Sequence, residues 1–303
     1  MLPTIEFGPW QLSTYHVFLA LALTLPGAYS LHRLLKLPYP PALIGRGLLL
    51  TFLAGIAGGL LGNWLTNLAI QAVSGPLAPL EGLSVIWAMV CGGVVGALYC
   101  WKYKGPLGQV FDLGGLPVPL AQAIGRLGCV AAGCCYGKIT DSWLGLYLPD
   151  EHGYWAVRYP TQLLSGLADL LIFLSLLALE RYGLRRAKPL PRPFPDAGRG
   201  DPPFPDREGG RGVRSCAPAP NNLLSKDKGG EGRLWPFDGF LSLLYVVLFS
   251  LKRFWMGFLR ESAVPVLGPL SEMHLQALIA LAIATALILW NLYRRRRKEV
   301  QNR

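Results

Sequence analysis

Apolar residues in this chain come in long runs rather than in the half-apolar stripes of a soluble helix. Seven runs stand out: 13–31, 47–70, 83–101, 116–135, 161–179, 236–259 and 274–293. Each is near the length at which an α-helix crosses the hydrocarbon core of a bilayer. The pattern predicts an all-α membrane protein with about seven transmembrane helices. Gly55, Gly58, Gly59 and Gly62 in the second run recur at about one-turn spacing, as do Gly92, Gly93 and Gly96 in the third. Small residues so placed let membrane helices approach closely. No internal repeat is evident, which weighs against a transporter built from inverted repeats.

The polar segments between the runs alternate in charge. His32, Arg33, Lys36 and Arg46 follow the first run, Glu81 with no Lys or Arg follows the second, and Lys102 and Lys104 follow the third. The segment after the fourth is mixed, that after the fifth strongly basic, that after the sixth carries Glu261 just past Arg260, and the tail after the seventh contains YRRRRKEV. Basic loops face the cytoplasm, so the alternation predicts an N-terminus outside and a C-terminus in the cytoplasm. The N-terminal segment lacks a basic n-region, so a cleaved signal peptide is not expected.

Residues 183–235 break the pattern. They are rich in Pro, Gly and charge, too polar to offset chain entropy by burial, and are expected to form a disordered basic cytoplasmic insertion. The expected organisation is one membrane domain, with helices 1–5 over 1–182 and helices 6–7 plus a basic tail over 236–303. Composition agrees: the chain is 52% hydrophobic and only 16% charged, well outside soluble norms. The net charge of +11 lies in loops between apolar runs, which argues for membrane orientation and against nucleic acid as a partner.

Ionisable side chains inside a span are costly and are read first as functional. Arg126, in the fourth run, is flanked by LAQAI and LGCVAAG; Arg253 and Arg260 lie in and at the end of the sixth. A guanidinium stays charged and offers a fork of donors suited to phosphate. Three of them on one cavity would hold a lipid phosphate; alternatively each snorkels to an interface or pairs with an acid such as Asp112. Tyr15 and His16 open the first span and suit an interfacial anchor. Asn63 and Asn67 suit hydrogen bonds between helices. The stretch GRLGCVAAGCCYG, 125–137, adds Cys129, Cys134 and Cys135 to Cys91, Cys100 and Cys216. No C-x-x-C pair occurs and the four histidines are scattered, so no metal or cofactor is expected. Buried thiols serve mostly as small apolar residues, although one beside Arg126 would ionise and react more readily. Cys134 and Cys135, adjacent on the expected helix, would point in different directions.

Several stretches, in order, resemble the prolipoprotein diacylglyceryl transferases, seven-span bacterial membrane enzymes. IEFGPWQLSTYHVFLALA is similar to the family's opening, and GQVFDLGGLPVPLAQAIGRLGC leads into its Gly-Arg-Leu-Gly signature. YPTQLLSG resembles its His-Pro-Ser-Gln-Leu-Tyr-Glu stretch, KRFWMGFLRES its sixth-span arginine motif, and SEMHLQALIAL the start of its last span. The resemblance implies transfer of a diacylglyceryl group from phosphatidylglycerol to the thiol of a prolipoprotein lipobox cysteine in the signal peptide, with release of glycerol phosphate, at the bacterial plasma membrane. It implies Arg126, Arg260 and Gly128 as substrate-binding residues. Arg253 and Tyr15 would be catalytic, with Cys134 standing in a glutamate's place. The alternative is a non-catalytic anionic-lipid binder or small-solute transporter using the same arginines.

The chain also departs from the family pattern. Cys129 and Ala132 stand at signature asparagines and Cys134 at the signature glutamate. Ile86 or Trp87 falls where the family has a span-three histidine, Leu60 at a span-two arginine, Gly257 at the sixth-span glutamate and His274 at the seventh-span glutamine. Relocated acid–base chemistry would then fall to Glu261, His274 or His16.

Overall fold

The computed structural model describes residues 4–7, 10–74, 84–150, 153–186, 236–261, 265–267 and 270–301. The chain is a seven-span helical membrane protein. Its spans are α1 (Thr14–Leu34), α2 (Pro41–Ser74), α3 (Val85–Lys102), the pair α4 (Leu107–Gly115) and α5 (Val118–Ala132), α6 (Thr161–Arg186), α7 (Phe240–Leu259) and α8 (Glu272–Gln301). Outward faces carry large apolar side chains: Leu53, Leu60 and Leu68 on α2, Val94 and Leu98 on α3, Leu171 and Leu174 on α6, Ile279 and Ile283 on α8. In water such surfaces would aggregate; against acyl chains they are the expected solvent contact.

Three differences from the sequence expectation matter. The fourth span is two helices broken at Leu116–Pro117, because a proline lacks the donor that would continue the ladder. It ends at Ala132, where Gly133 adopts a left-handed C-cap (φ 72°), so Cys134 and Cys135 lie on a loop and not on the helix. Three short antiparallel hairpins also occur: β1 (Thr4–Phe7) with β2 (Trp10–Ser13), β3 (Leu146–Pro149) with β4 (Trp155–Arg158), and β5 (Pro265–Leu267) with β6 (Leu270–Ser271). Residues 183–186, expected in the insertion, continue α6. The rest of the insertion, residues 187–235 with Cys216, lies outside the described residues, as does Glu81.

The helices pack in a chain of neighbours: α1 on α5, α5 on α6, α6 on α7 and α7 on α8, with α2 and α3 forming a separate tight pair. The core is Leu116, Ile172, Phe173, Leu176, Leu241, Tyr245 and Phe249, where the broken span meets α6 and α7. Small residues serve the α2–α3 contact as expected. A Cβ on Gly58 would fall 2.2 Å from Cys91 Cβ, and one on Gly62 2.1 Å from Trp87 Cγ. Arg33, expected as a loop cation, is buried and paired with Glu180 of α6.

Asp112 binds no arginine. Its carboxylate accepts backbone N–H groups from Gly239 (2.7 Å) and Ser242 (2.9 Å). It therefore caps the N-terminus of α7 from another helix, satisfying donors that the helix cannot pair itself and favouring its dipole. Asp112→Ala should lower stability by about 1–2 kcal/mol, the cost of a lost cap. Thermal unfolding in detergent should show a lowered Tm, with Gly93→Ala, whose added methyl meets only Phe111 at 3.9 Å, close to wild type.

Candidate functional site

The site is built on two helices and one loop. On α5, Arg126 faces α6 where Gly166 leaves room: a Cβ there would lie 3.2 Å from Arg126 Cβ. On α7, Lys252, Arg253 and Met256 face inward, and Arg260 follows two turns after Arg253, as the extended residue that ends the helix. All of them line one narrow pocket with Cys135, Thr161, Ser165, Phe249 and Met273. Its volume is about 20 Å³, room for one water-sized group such as a single phosphate oxygen. The three arginines expected to share a cavity do so, and Lys252 joins them.

The charges in this pocket are unequal. Lys252 Nζ donates to Asp169 Oδ1 at 2.6 Å, and Asp169 is fully buried. Arg253 Nη2 donates to Gln276 Oε1 at 3.2 Å, and Gln276 in turn donates to Glu272. Arg260 Nη1 contacts only the weak acceptor Met273 Sδ at 3.9 Å. The Nε groups of Arg253 and Arg260 are buried without a hydrogen-bond partner among the described residues. Buried donors without partners are rare and costly, and here they face a pocket whose cations outnumber the carboxylate lining up against them. A surplus of guanidinium donors so placed has the charge and the free donors that an anion would require.

The loop after α5 is pinned on both sides. Gly133 and Cys134 N–H groups close the helix on Val130 and Cys129 carbonyls. Thr161 Oγ1 donates to the Cys135 carbonyl (2.8 Å) and Gln162 Nε2 to the Cys134 carbonyl (2.9 Å). Beyond them Gly137 bridges to Arg260, and Lys138 N–H donates to Leu259 O at 2.8 Å. Gly137 admits no side chain, since a Cβ would lie 2.4 Å from Tyr159 O. Cys135 itself sits at φ +60°, a left-handed conformation that costs a residue with a Cβ about 1–2 kcal/mol. The result brings the Cys129, Cys134 and Cys135 sulfurs within 4.8 Å of one another. Hydrogen bonds from Cys129 and Cys134 push the Cys135 thiol down, with Arg260 and Arg126 adding to the effect. Hydrogen bonds with Cys129 and Cys135, together with burial, push Cys134 up.

The remaining sequence candidates fall around this centre. Tyr15 lies close to Arg126 and the three thiols, and Gly128 is where α1 crosses α5: a Cβ there would meet Phe18 Cβ at 3.1 Å and Tyr15 Cδ2 at 3.3 Å. His16 is exposed and packs edge-on to Tyr15. Glu261 is held by Arg158, which also reaches Asp150 at 3.2 Å. His274 is buried, with Nδ1 3.0 Å from the Ser271 N–H and its ring against Phe258. The sequence reading missed Lys252 and Asp169. Both were marked by the same signal as Arg126, an ionisable residue inside an apolar run.

A larger cavity of about 390 Å³ lies between α2, α3, α4 and α7 and has no charged side chain in its lining. Tyr245 of that cavity and Phe249 of the cationic pocket are one turn apart on α7, their rings 5.9 Å apart. Size alone would favour the larger cavity as the reactive site, but among the described residues the charged groups line the small one.

Residues 3–191 match the family model for prolipoprotein diacylglyceryl transferase. The chain belongs to the prolipoprotein diacylglyceryl transferase family. Among its relatives is the phosphatidylglycerol–prolipoprotein diacylglyceryl transferase of Clostridium tetani, 33% identical over 142 residues, which are 43% of this chain and 55% of that protein. A second such transferase of Clostridium perfringens is 36% identical over 139 residues, 43% of this chain and 52% of that protein. The Dehalococcoides mccartyi transferase is 26% identical over 220 residues, 72% and 65% of the two chains. The matched region thus spans about half the length of the two clostridial relatives.

Two departures from the family pattern are in contact. A Cβ on Gly257 would lie 2.7 Å from His274 Cε1 and Nε2, so the imidazole occupies the volume that a side chain at 257 would need. Gly257→Ala should therefore destabilise the protein by about 1–3 kcal/mol, as overpacking does. His274→Ala in the same chain should recover most of that loss, and a double-mutant cycle by thermal unfolding in detergent measures the coupling.

Proposed function

We propose that this protein transfers a diacylglyceryl group from phosphatidylglycerol to the lipobox cysteine thiol of a prolipoprotein, releasing glycerol phosphate, at the bacterial plasma membrane. The carrying observation is the pocket that gathers Arg126, Lys252, Arg253 and Arg260 against one buried carboxylate, Asp169, in a family whose relatives bear that activity in their names. In this reaction the acceptor sulfur forms a bond to the glyceryl carbon while the bond from that carbon to the phosphate oxygen breaks. The electron pair leaves with glycerol phosphate. Arg126, Arg253 and Arg260 receive the charge that develops on that oxygen, which lowers the barrier most where water is scarce. The apolar 390 Å³ cavity suits hydrocarbon, so acyl chains have a place one turn from the phosphate. Tyr15 stands over the reacting region, Gly128 lets it approach, and Cys134 holds the neighbouring sulfur cluster. An N-terminus outside puts the prolipoprotein's cleavage region on the same side as α1's opening.

The transporter alternative calls for two broken helices in matched positions; among the described residues one span is broken, at Leu116–Pro117. The chain should complement a strain depleted of its own transferase. With purified protein, phosphatidylglycerol and a lipobox peptide, Arg126→Ala and Arg253→Ala should each lower glycerol phosphate release about 100-fold or more, while eluting as folded protein in detergent. Retained turnover removes those arginines from the site, and failed complementation by well-expressed wild type overturns the reading.

A further inference from the structure

The family pattern puts hydrogen-bonding and acidic groups where this chain has Cys129 and Cys134. The base that takes the acceptor thiol's proton is therefore not supplied by those positions. Glu261 is paired with Arg158, His16 is exposed and packs edge-on to Tyr15, and His274 is buried with Nδ1 accepting from the Ser271 N–H. The structure offers another device at the same place.

We infer that Cys129, Cys134 and Cys135 form a three-thiolate zinc site whose open fourth position takes the acceptor thiol. Their sulfurs all lie within 4.8 Å of one another. Zinc–thiolate bonds of about 2.3 Å in a tetrahedron set sulfurs about 3.8 Å apart, so the ion needs only a small contraction of the cluster. The loop is built to hold this arrangement. A left-handed glycine folds Cys134 back onto Cys129, Thr161 and Gln162 fix the Cys134 and Cys135 carbonyls, and Cys135 holds a left-handed conformation. Strain kept at a rigidly held residue points to a use for its side chain. Simple packing needs no such cost.

The setting fits the ion's chemistry. Three thiolates and one zinc carry a net negative charge, costly in a low-dielectric interior, and Arg126 and Arg260 stand beside the cluster to offset it. Sulfur ligands select zinc and other soft ions over magnesium and calcium. Three protein ligands leave one position free, the arrangement of catalytic rather than structural zinc. Cys135 lines the arginine pocket, so the free position and the phosphate site are neighbours.

The role of the site rests on the transferase reading. A thiol that binds zinc loses its proton to water and remains a bound thiolate. Its sulfur electron pair forms the bond to the glyceryl carbon of the anionic phospholipid, and the carbon–oxygen bond breaks toward the phosphate held by the arginines. The product is a neutral thioether, a weaker ligand than a thiolate, and it leaves. No electron is gained or lost by the metal.

The test uses the full chain in detergent, reduced with a phosphine, with zinc sulfate and cobalt chloride as probes. About one zinc per chain should be retained, and cobalt should give a thiolate charge-transfer band. Cys129→Ser, Cys134→Ser and Cys135→Ser should each weaken metal binding at least tenfold, with Cys91→Ser and Cys100→Ser as wild type. A lipobox peptide with a free cysteine should shift the cobalt spectrum, and the same peptide with serine should not. Absence of metal binding, or binding unchanged in the three variants, overturns the site. If the variants fail to fold, maleimide labelling of wild-type Cys134 and Cys135 decides: labelling slowed by zinc supports the site, and equal labelling with and without zinc overturns it. A cobalt band that ignores the cysteine peptide overturns the activating role. None of these readouts needs turnover, so an intact cobalt response beside failed complementation counts against the transferase reading and leaves the site standing.

Discussion

The bundle is organised around a surplus of buried positive charge. Arg126, Lys252, Arg253 and Arg260 converge on a pocket of about 20 Å³, and among the described residues Asp169 is the carboxylate paired directly with one of them, Lys252. Cations inside a membrane protein persist only where counter-charges, hydrogen bonds or a water-filled path compensate them. Here compensation is partial by construction. Asp169 is spent on Lys252, and Glu272 reaches Arg253 only through Gln276. What is left over is a standing demand for an anion, and the helix ends and loops nearby are arranged to keep the cations from turning outward to find one.

That restraint comes from contacts far apart in the chain. Asp112 on α4 caps α7 and so fixes the depth of Lys252 and Arg253. Arg158, held by Asp150 and Glu261, ties the hairpin of β3 and β4 to the residue that follows Arg260. The loop at 133–139 hydrogen-bonds to the end of α7 through Lys138 N–H and Leu259 O, and to Tyr159, just past β4, through the Lys138 carbonyl. Each tie is a polar contact among apolar helices, where losing one partner would leave the other buried and unpaired. The bundle's helices could slide past one another on lipid-facing leucines alone; these few polar contacts set their register.

Much of this was legible in the sequence. Run lengths gave seven spans because the bilayer imposes a length that local propensity does not blur. The intramembrane arginines declared themselves because a buried cation is too costly to be incidental, and the same reasoning extended to Lys252 and Asp169 would have completed the pocket. The fourth apolar run begins at 116, so α4 (Leu107–Gly115), interrupted by Gln109 and Asp112, was not legible as the first half of that span. Asp112 was misread because its partners are backbone N–H groups of a helix more than a hundred residues on, which side-chain chemistry cannot announce. The three thiols were named from the sequence but their clustering was not foreseen, because Gly133 and the Cys135 turn bring together sulfurs that a continued helix would have splayed.

Four of the departures from the family pattern fall into two contacting groups, Gly257 with His274 and Cys129 with Cys134. At Gly257 and His274 an imidazole fills the space that a side chain at 257 would need; its Nδ1 is bonded at Ser271, while its Nε2 is buried without a partner among the described residues. At the signature, two positions became thiols, a third thiol lies beside them, and the backbone strain that aims Cys135 at the arginines is retained. Meanwhile the arginines keep both their places and their unpaired donors. A pocket that needed only to be filled would have shed those charges first, because they are its most expensive members. Under the proposed function, such costly cations beside a sulfur cluster are what phosphate binding next to a handled thiol requires.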